Sequence, residues 1–287
     1  MIKKTAAIII SILLPVLASG QAQINTKKVK LGDFTQKVTK VVLSGNEFMD
    51  SALKDEVTAR WRISPYEFCS LEEFNSMKTS EEYYFLLSVT GKFKKDNIPT
   101  IRYLTLVKGG NGAEEGIDKM MEVVTMPVAS APHPSGREIV FLPALVDIIQ
   151  NYTLLAMEND KIAYGGPGAI TQKIEKEDEF LVVFTEDDIC ESCYEMEKVE
   201  FYDDEMLVTE EEKADSYMMD RMEDTLVGYV IAPSEPMPGA VYYKMLIHAR
   251  TYQLYYFAQD RVSRKEGAGF MPSDIKKIYS AITKEQR

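Results

Sequence analysis

The chain is predicted to be an α/β protein, with a mixed β-sheet flanked by helices, built as one large domain or as two packed α/β halves. Three observations lead there. Short β-rich runs alternate with stretches of helical periodicity. A hydrophobic content of 45% and a charged content of 27% over 287 residues are globular values. The turn "YGGPGA", residues 164–169, breaks the chain into a first half, 21–165, and a second, 166–287.

In the first half "KVTKVVLSG" reads as a strand ending in a turn. "NEFMDSALKDEVTARW" follows as a helix, with Met49, Leu53 and Val57 at helical spacing and acids in the first turn. "WRISPYEF" is strand-like, and "SLEEFNSM" opens a helix at Ser70, with Glu73 placed to complete a capping box. "EEYYFLLSVTGKF" and "TIRYLTLVKGG" form a strand pair, and "GIDKMMEVV" is expected to return to helix. "REIVFLPALVDIIQNYTLLAME" is apolar on most sides, so it is read as a buried helix kinked or started near Pro143.

In the second half "EFLVVFTED" is a strand and "TEEEKADSYMMDRMED" a helix with an acid-rich first turn. "TLVGYVIAP", "AVYYKMLIHA" and "TYQLYYFAQDRVS" are three successive antiparallel strands with short connections. "PSDIKKIYSAI" closes the chain as a helix started by Pro272 and Ser273, with Ile275, Tyr279 and Ile282 facing inward. Each half thus contains strands between helices, but their residues do not repeat.

The first residues have the parts of a secretory signal over 1–20. Lys3 and Lys4 precede an apolar run from Ala6 to Leu17, and Ala18-Ser19-Gly20 supplies small residues for cleavage before Gln21. That run is short for a membrane span, which needs about 20 residues, and no later stretch is expected to span. The protein is therefore expected to be exported, periplasmic or secreted. Net charge of −12 argues against nucleic acid and anionic membrane surfaces, which need clustered Lys and Arg.

Candidate chemistry is sparse. The chain has two histidines, His133 between prolines in "APHPSG" and His248 at a strand end, and neither sits in a catalytic motif. "KGGNGAEEG", from Lys108 to Gly116, has the place of a phosphate loop but lacks the third glycine and the lysine of such loops. It reads as a flexible strand-to-helix turn. "RVSRKEGAGF" puts Arg261, Arg264 and Lys265 ahead of a Gly-x-Gly and a helix start. These three could contact an anion or a partner, or guard a strand edge against pairing.

Cys190 and Cys193 form a Cys-x-x-Cys surrounded by Asp187, Asp188, Glu191, Glu195 and Glu197. Negative neighbours raise a thiol's pKa and disfavour a redox thiolate. Structural zinc needs a second Cys or His pair, which Cys69 and two distant histidines do not supply nearby. In an oxidising compartment a local disulfide in an acidic surface segment, or two unpaired structural thiols, is the expected state. No catalytic residue, cofactor or metal ligand is assigned.

The segments "WRISPYEFCSLEEF", "LVKGGNGAEEGIDKMMEVV", "GREIVFLPALVDIIQ" and "YYKMLIHARTYQLYYFAQDRVSRKEGAGF" resemble a group of exported proteins of Bacteroides-type gut bacteria. That group has no assigned activity, so the resemblance implies export. In layout, "KVVLSGNEFMDSALKDEVTARWRISP" followed by "YYFLLSVTG" is similar to curli-secretion lipoprotein and TolB amino-terminal α/β domains. The lipidated cysteine of those lipoproteins is missing here, so membrane attachment is not implied. The expected function is a binding or envelope-assembly module whose partner is an unknown protein or small molecule. The alternatives are a hydrolase with a dispersed site, or a thiol- or metal-binding protein using Cys190 and Cys193.

Overall fold

The computed structural model describes residues 27–91, 100–175, 178–196 and 205–283. The signal segment 1–20 and residues 197–204 of the acidic stretch lie outside the described residues.

The first half runs α1 (Lys27–Leu31), β1 (Val38–Val42), α2 (Glu47–Arg60), β2 (Tyr66–Cys69), α3 (Leu71–Met77), β3 (Tyr83–Gly91), β4 (Ile101–Lys108), β5 (Met121–Ser130), α4 (Arg137–Glu158) and α5 (Asp160–Gly165). The second runs β6 (Leu181–Thr185), β7 (Met206–Thr209), α6 (Glu211–Met219), β8 (Thr225–Ile231), β9 (Val241–His248), β10 (Leu254–Arg261) and α7 (Pro272–Ile282). These strands make two mixed five-stranded sheets, with orders β2-β1-β3-β4-β5 and β7-β6-β8-β9-β10.

The two sheets have the same topology. In each, the first strand lies between two parallel partners, and the next two strands are added antiparallel. The register also repeats. Val42 pairs with Cys69 as Thr185 pairs with Thr209, and Val89 pairs with Tyr103 as Ile231 pairs with Tyr243. Leu86 therefore occupies the place of Gly228, and Leu104 the place of Lys244. Side chains differ at most matched positions, so the like topology is not legible in the residues.

Local signals explain most boundaries. Asn46 caps α2 by accepting from the Met49 N–H at 3.2 Å. Ser70 and Glu73 complete the expected capping box on α3. Gly228 lies under the Phe184 ring, where a Cβ would come within 2.6 Å.

Each sheet has two covered faces. One core joins Leu53 and Val57 of α2 and the apolar side of α4 to Val183, Val227 and Tyr229 of the second sheet and Met218 of α6. The far face of the first sheet packs Phe85, Leu87 and Val107 against Phe74 of α3. The far face of the second packs Val182, Phe184 and Leu246 against Ile275 and Ile278 of α7. Unlike faces of two like units thus meet, head to tail. Phe141 of α4 stacks on Tyr229 of β8 with centroids 4.1 Å apart, and the Tyr229 hydroxyl donates to Val128 O at 2.6 Å.

Three expectations are corrected. "GIDKMMEVV" is not a helix: Ile117–Lys119 is one 3-10 turn and Met121–Ser130 is an edge strand paired to β4. Pro127 is tolerated there because an edge strand has one unpaired side. The Lys108-to-Gly116 loop consequently joins two antiparallel strands, with Gly110 and Gly112 at φ of 103° and 82°, and precedes no α-helix. The long apolar helix starts at Arg137, well before Pro143. By length and composition alone α4 is long and apolar enough to cross a membrane, as buried core helices also are, and 61% of its most apolar window is buried.

Candidate binding clefts

From its carboxyl end β1 leads through α2 to β2 on one side, and from its carboxyl end β3 leads to β4 on the other, so the connections diverge at the carboxyl ends of β1 and β3. Open sheets leave a crevice at such a point. Here it is a cavity of about 320 Å³, with Ser44, Asp50, Ser88, Thr90 and Arg102 at its polar side. Leu53, Leu104, Val128 and Leu142 form its apolar side.

The two charged groups there differ in status. The Asp50 carboxylate accepts the Ser44 N–H at 2.8 Å, the Ser44 hydroxyl at 2.9 Å and the Gly45 N–H at 2.8 Å, so its charge is satisfied by its own loop. The Arg102 guanidinium is half-buried and makes no hydrogen bond or ion pair among the described residues. A cation in that condition favours an incoming anion.

In the second half the matching crevice is closed. Asp188, at 1% exposure, lies beyond the end of β6 and accepts from the Thr185 N–H at 3.1 Å and the Val230 N–H at 2.9 Å. Arg137 reaches across from α4 to Asp188 at 3.2 Å, to Asp215 of α6 at 2.9 Å and to Gly228 O at 3.2 Å. Phe141 and Tyr229 flank its guanidinium at 5.2 and 5.3 Å. Burial works against its charge, but the two aspartates outweigh burial and raise its pKa. Burial raises the Asp215 pKa in spite of Arg137.

A second cavity, about 400 Å³, opens between β9, β10 and α7. Lys244 has no exposure, pairs with Asp260 at 2.6 Å and is hydrogen-bonded to Asp274. Asp274 also accepts the Tyr256 hydroxyl at 2.6 Å and the Met271 N–H at 2.9 Å. Burial pushes the Asp274 pKa up, and the bonds from Lys244 and Tyr256 more than reverse that. This cavity's lysine is consumed internally.

Of the basic turn, Arg261 lines this second cavity and its Nη1 donates to Gly239 O at 3.0 Å. Arg264 and Lys265 are exposed on the turn and do not line the cavity.

Cys190 and Cys193 are not on the surface: their exposures are 3% and 0%, and both are free thiols here. They pack against that same turn, which joins two features far apart in sequence. The Cys190 N–H donates to Phe270 O, the Cys190 thiol donates to Met271 Sδ at 3.2 Å, and the Cys193 thiol donates to Phe270 O at 3.2 Å. Burial, more than the acidic neighbours, pushes their pKa values to about 11 and about 12.

His133 is exposed. His248 is 8% exposed, and its Nδ1 accepts from the Arg250 and Thr251 N–H groups at 3.1 and 3.4 Å. Burial lowers its pKa, so it holds a turn as a neutral ring.

Arg102, Arg137 and Lys244 were not singled out by sequence reasoning. Their one signal is a cation inside an otherwise apolar run, "TIRYLTL" and "AVYYKMLIH" being the clearest. No family model, curated protein or solved structure matches the chain.

Proposed function

We propose that the protein is an exported binding module whose first half takes a small amphipathic molecule bearing one anionic group. The ligand's charge meets Arg102, its polar atoms meet the Ser44, Ser88 and Thr90 hydroxyls, and its apolar body lies on Leu53, Leu104 and Leu142. The observation that carries this reading is the half-buried guanidinium of Arg102, unpaired among the described residues, at the carboxyl-end crevice of an open sheet. The like crevice in the second half supports it by contrast, since there Arg137 and Asp188 already provide the ion pair internally. Export is supported by Lys3, Lys4 and the short apolar run after them. The layout similarity to TolB amino-terminal and curli-secretion domains would place such a module in envelope assembly.

A thermal-shift screen of small carboxylates and organophosphates, followed by calorimetric titration, tests the proposal. Hits that lose at least about tenfold in affinity in Arg102→Met, a change of 1.4 kcal/mol, are the expected outcome. Hits indifferent to Arg102→Met, or no hits with a folded protein, overturn it.

A further inference from the structure

Cys190, Cys193 and Met271 pack in one cluster on the far side of the second sheet, away from the Arg102 cavity. Cys190 is the N-cap and Cys193 the last residue of a 3-10 turn, Glu191–Cys193, with the Cys193 N–H donating to Cys190 O at 2.9 Å. Both meet the turn before α7, Cys190 through Met271 Sδ at 3.2 Å and Cys193 through Phe270 O at 3.2 Å. An isolated parallel bridge between Ile189 and Phe270 fixes that docking.

We propose that Cys190, Cys193 and Met271 form a site for a monovalent soft metal ion, Cu(I). Two thiolates and a thioether are the ligand set that prefers Cu(I) to harder ions. Zinc would need four ligands, and among the described residues no group of three His, Cys, Asp or Glu side chains is placed to hold a metal. Binding replaces two S–H bonds by two Cu–S bonds, adds a dative bond from the Met271 sulfur and releases two protons, with no change in oxidation state. The product carries one negative charge. Met271 also lines the 400 Å³ cavity, which provides the route of entry.

The test is anaerobic titration of the reduced full-length protein with Cu(I) in competition with bicinchoninate. One equivalent retained, with sulfur neighbours only in the copper X-ray absorption spectrum, is expected. Cys190→Ala and Cys193→Ala should each abolish retention. Met271→Leu, which conserves volume, should weaken it by more than about tenfold while the circular dichroism spectrum is unchanged. Failure of the reduced wild-type protein to compete, oxygen or nitrogen neighbours at the copper, or an unaffected Met271→Leu overturns the proposal. Because these residues are separate from Arg102, either result leaves the anion-binding proposal standing on its own test.

Discussion

Arg137 and Arg102 show how one residue type serves opposite ends within the same molecule. Arg137 is surrounded by Asp188, Asp215 and a carbonyl, so its removal would leave two buried carboxylates without their cation. Arg137→Met should cost about 3–5 kcal/mol in urea unfolding, and adding Asp188→Asn and Asp215→Asn should recover part of it. Arg102→Met has no such partners to strand and should leave the urea midpoint almost unchanged. Asp33 supplies a pH signature. Burial acts upward on its pKa, but hydrogen bonds from Lys108, Tyr84 and Lys37 bring it from 3.8 down to about 2. A depressed carboxylate adds stability above its unfolded pKa, and that stability is lost as pH falls through the folded one. Asp33→Asn should therefore reduce stability at neutral pH and narrow its gap from the wild type between pH 3.8 and about 2. A gap that stays constant over that window would show that Asp33 is not the group titrating.

At the scale of elements, the clearest agreement between local code and structure is α3. Its capping box joins the Ser70 N–H to Glu73 at 2.7 Å and the Glu73 N–H to Ser70 at 3.2 Å. Ser70→Ala should cost about 1 kcal/mol, read from the shift in denaturation midpoint. β5 teaches the reverse. "MEVVTMPVAS" carries methionines, a proline and no clean alternation, so local pattern points away from a strand. Its conformation comes from β4, which offers a full edge for pairing from Ile101 to Lys108. β9 also hides its role, because all its residues are buried and no polar face marks an outside. Gly228 marks a close approach between β8 and β6. Gly228→Ala should cost about 1–3 kcal/mol by overpacking against Phe184.

For the whole molecule, the decisive fact is that two like units share a core through unlike faces. Phe141 on Tyr229, Tyr229 on Val128 and Arg137 on Asp188 all join the first half to the second. Heat should therefore unfold the chain in a single calorimetric transition with equal calorimetric and van't Hoff enthalpies. Two resolved transitions would mean that these contacts do not couple the halves. The head-to-tail arrangement also explains why the second unit's crevice is filled: it receives Arg137 from the first.

The sequence by itself determined the α/β class, most helices and strands, the α3 cap and the antiparallel order of the last three strands. Those features depend on neighbours within a few positions, through hydrophobic period, capping side chains and turn residues. It also marked the Cys-x-x-Cys and the Arg261 turn, but placed them apart and placed the cysteines in a surface segment. Tertiary structure alone decided that Cys190 and Cys193 are buried against Met271, that β5 is a strand, and that the two sheets repeat one register. It also decided that Arg137 is paired and that Arg102, among the described residues, is not. Each of those facts depends on which strand edge or which face is brought opposite a residue by contacts beyond its local neighbours, such as Arg137 with Asp188 across 51 positions. Nothing in the local pattern around an arginine in an apolar run states whether a carboxylate will be there to meet it.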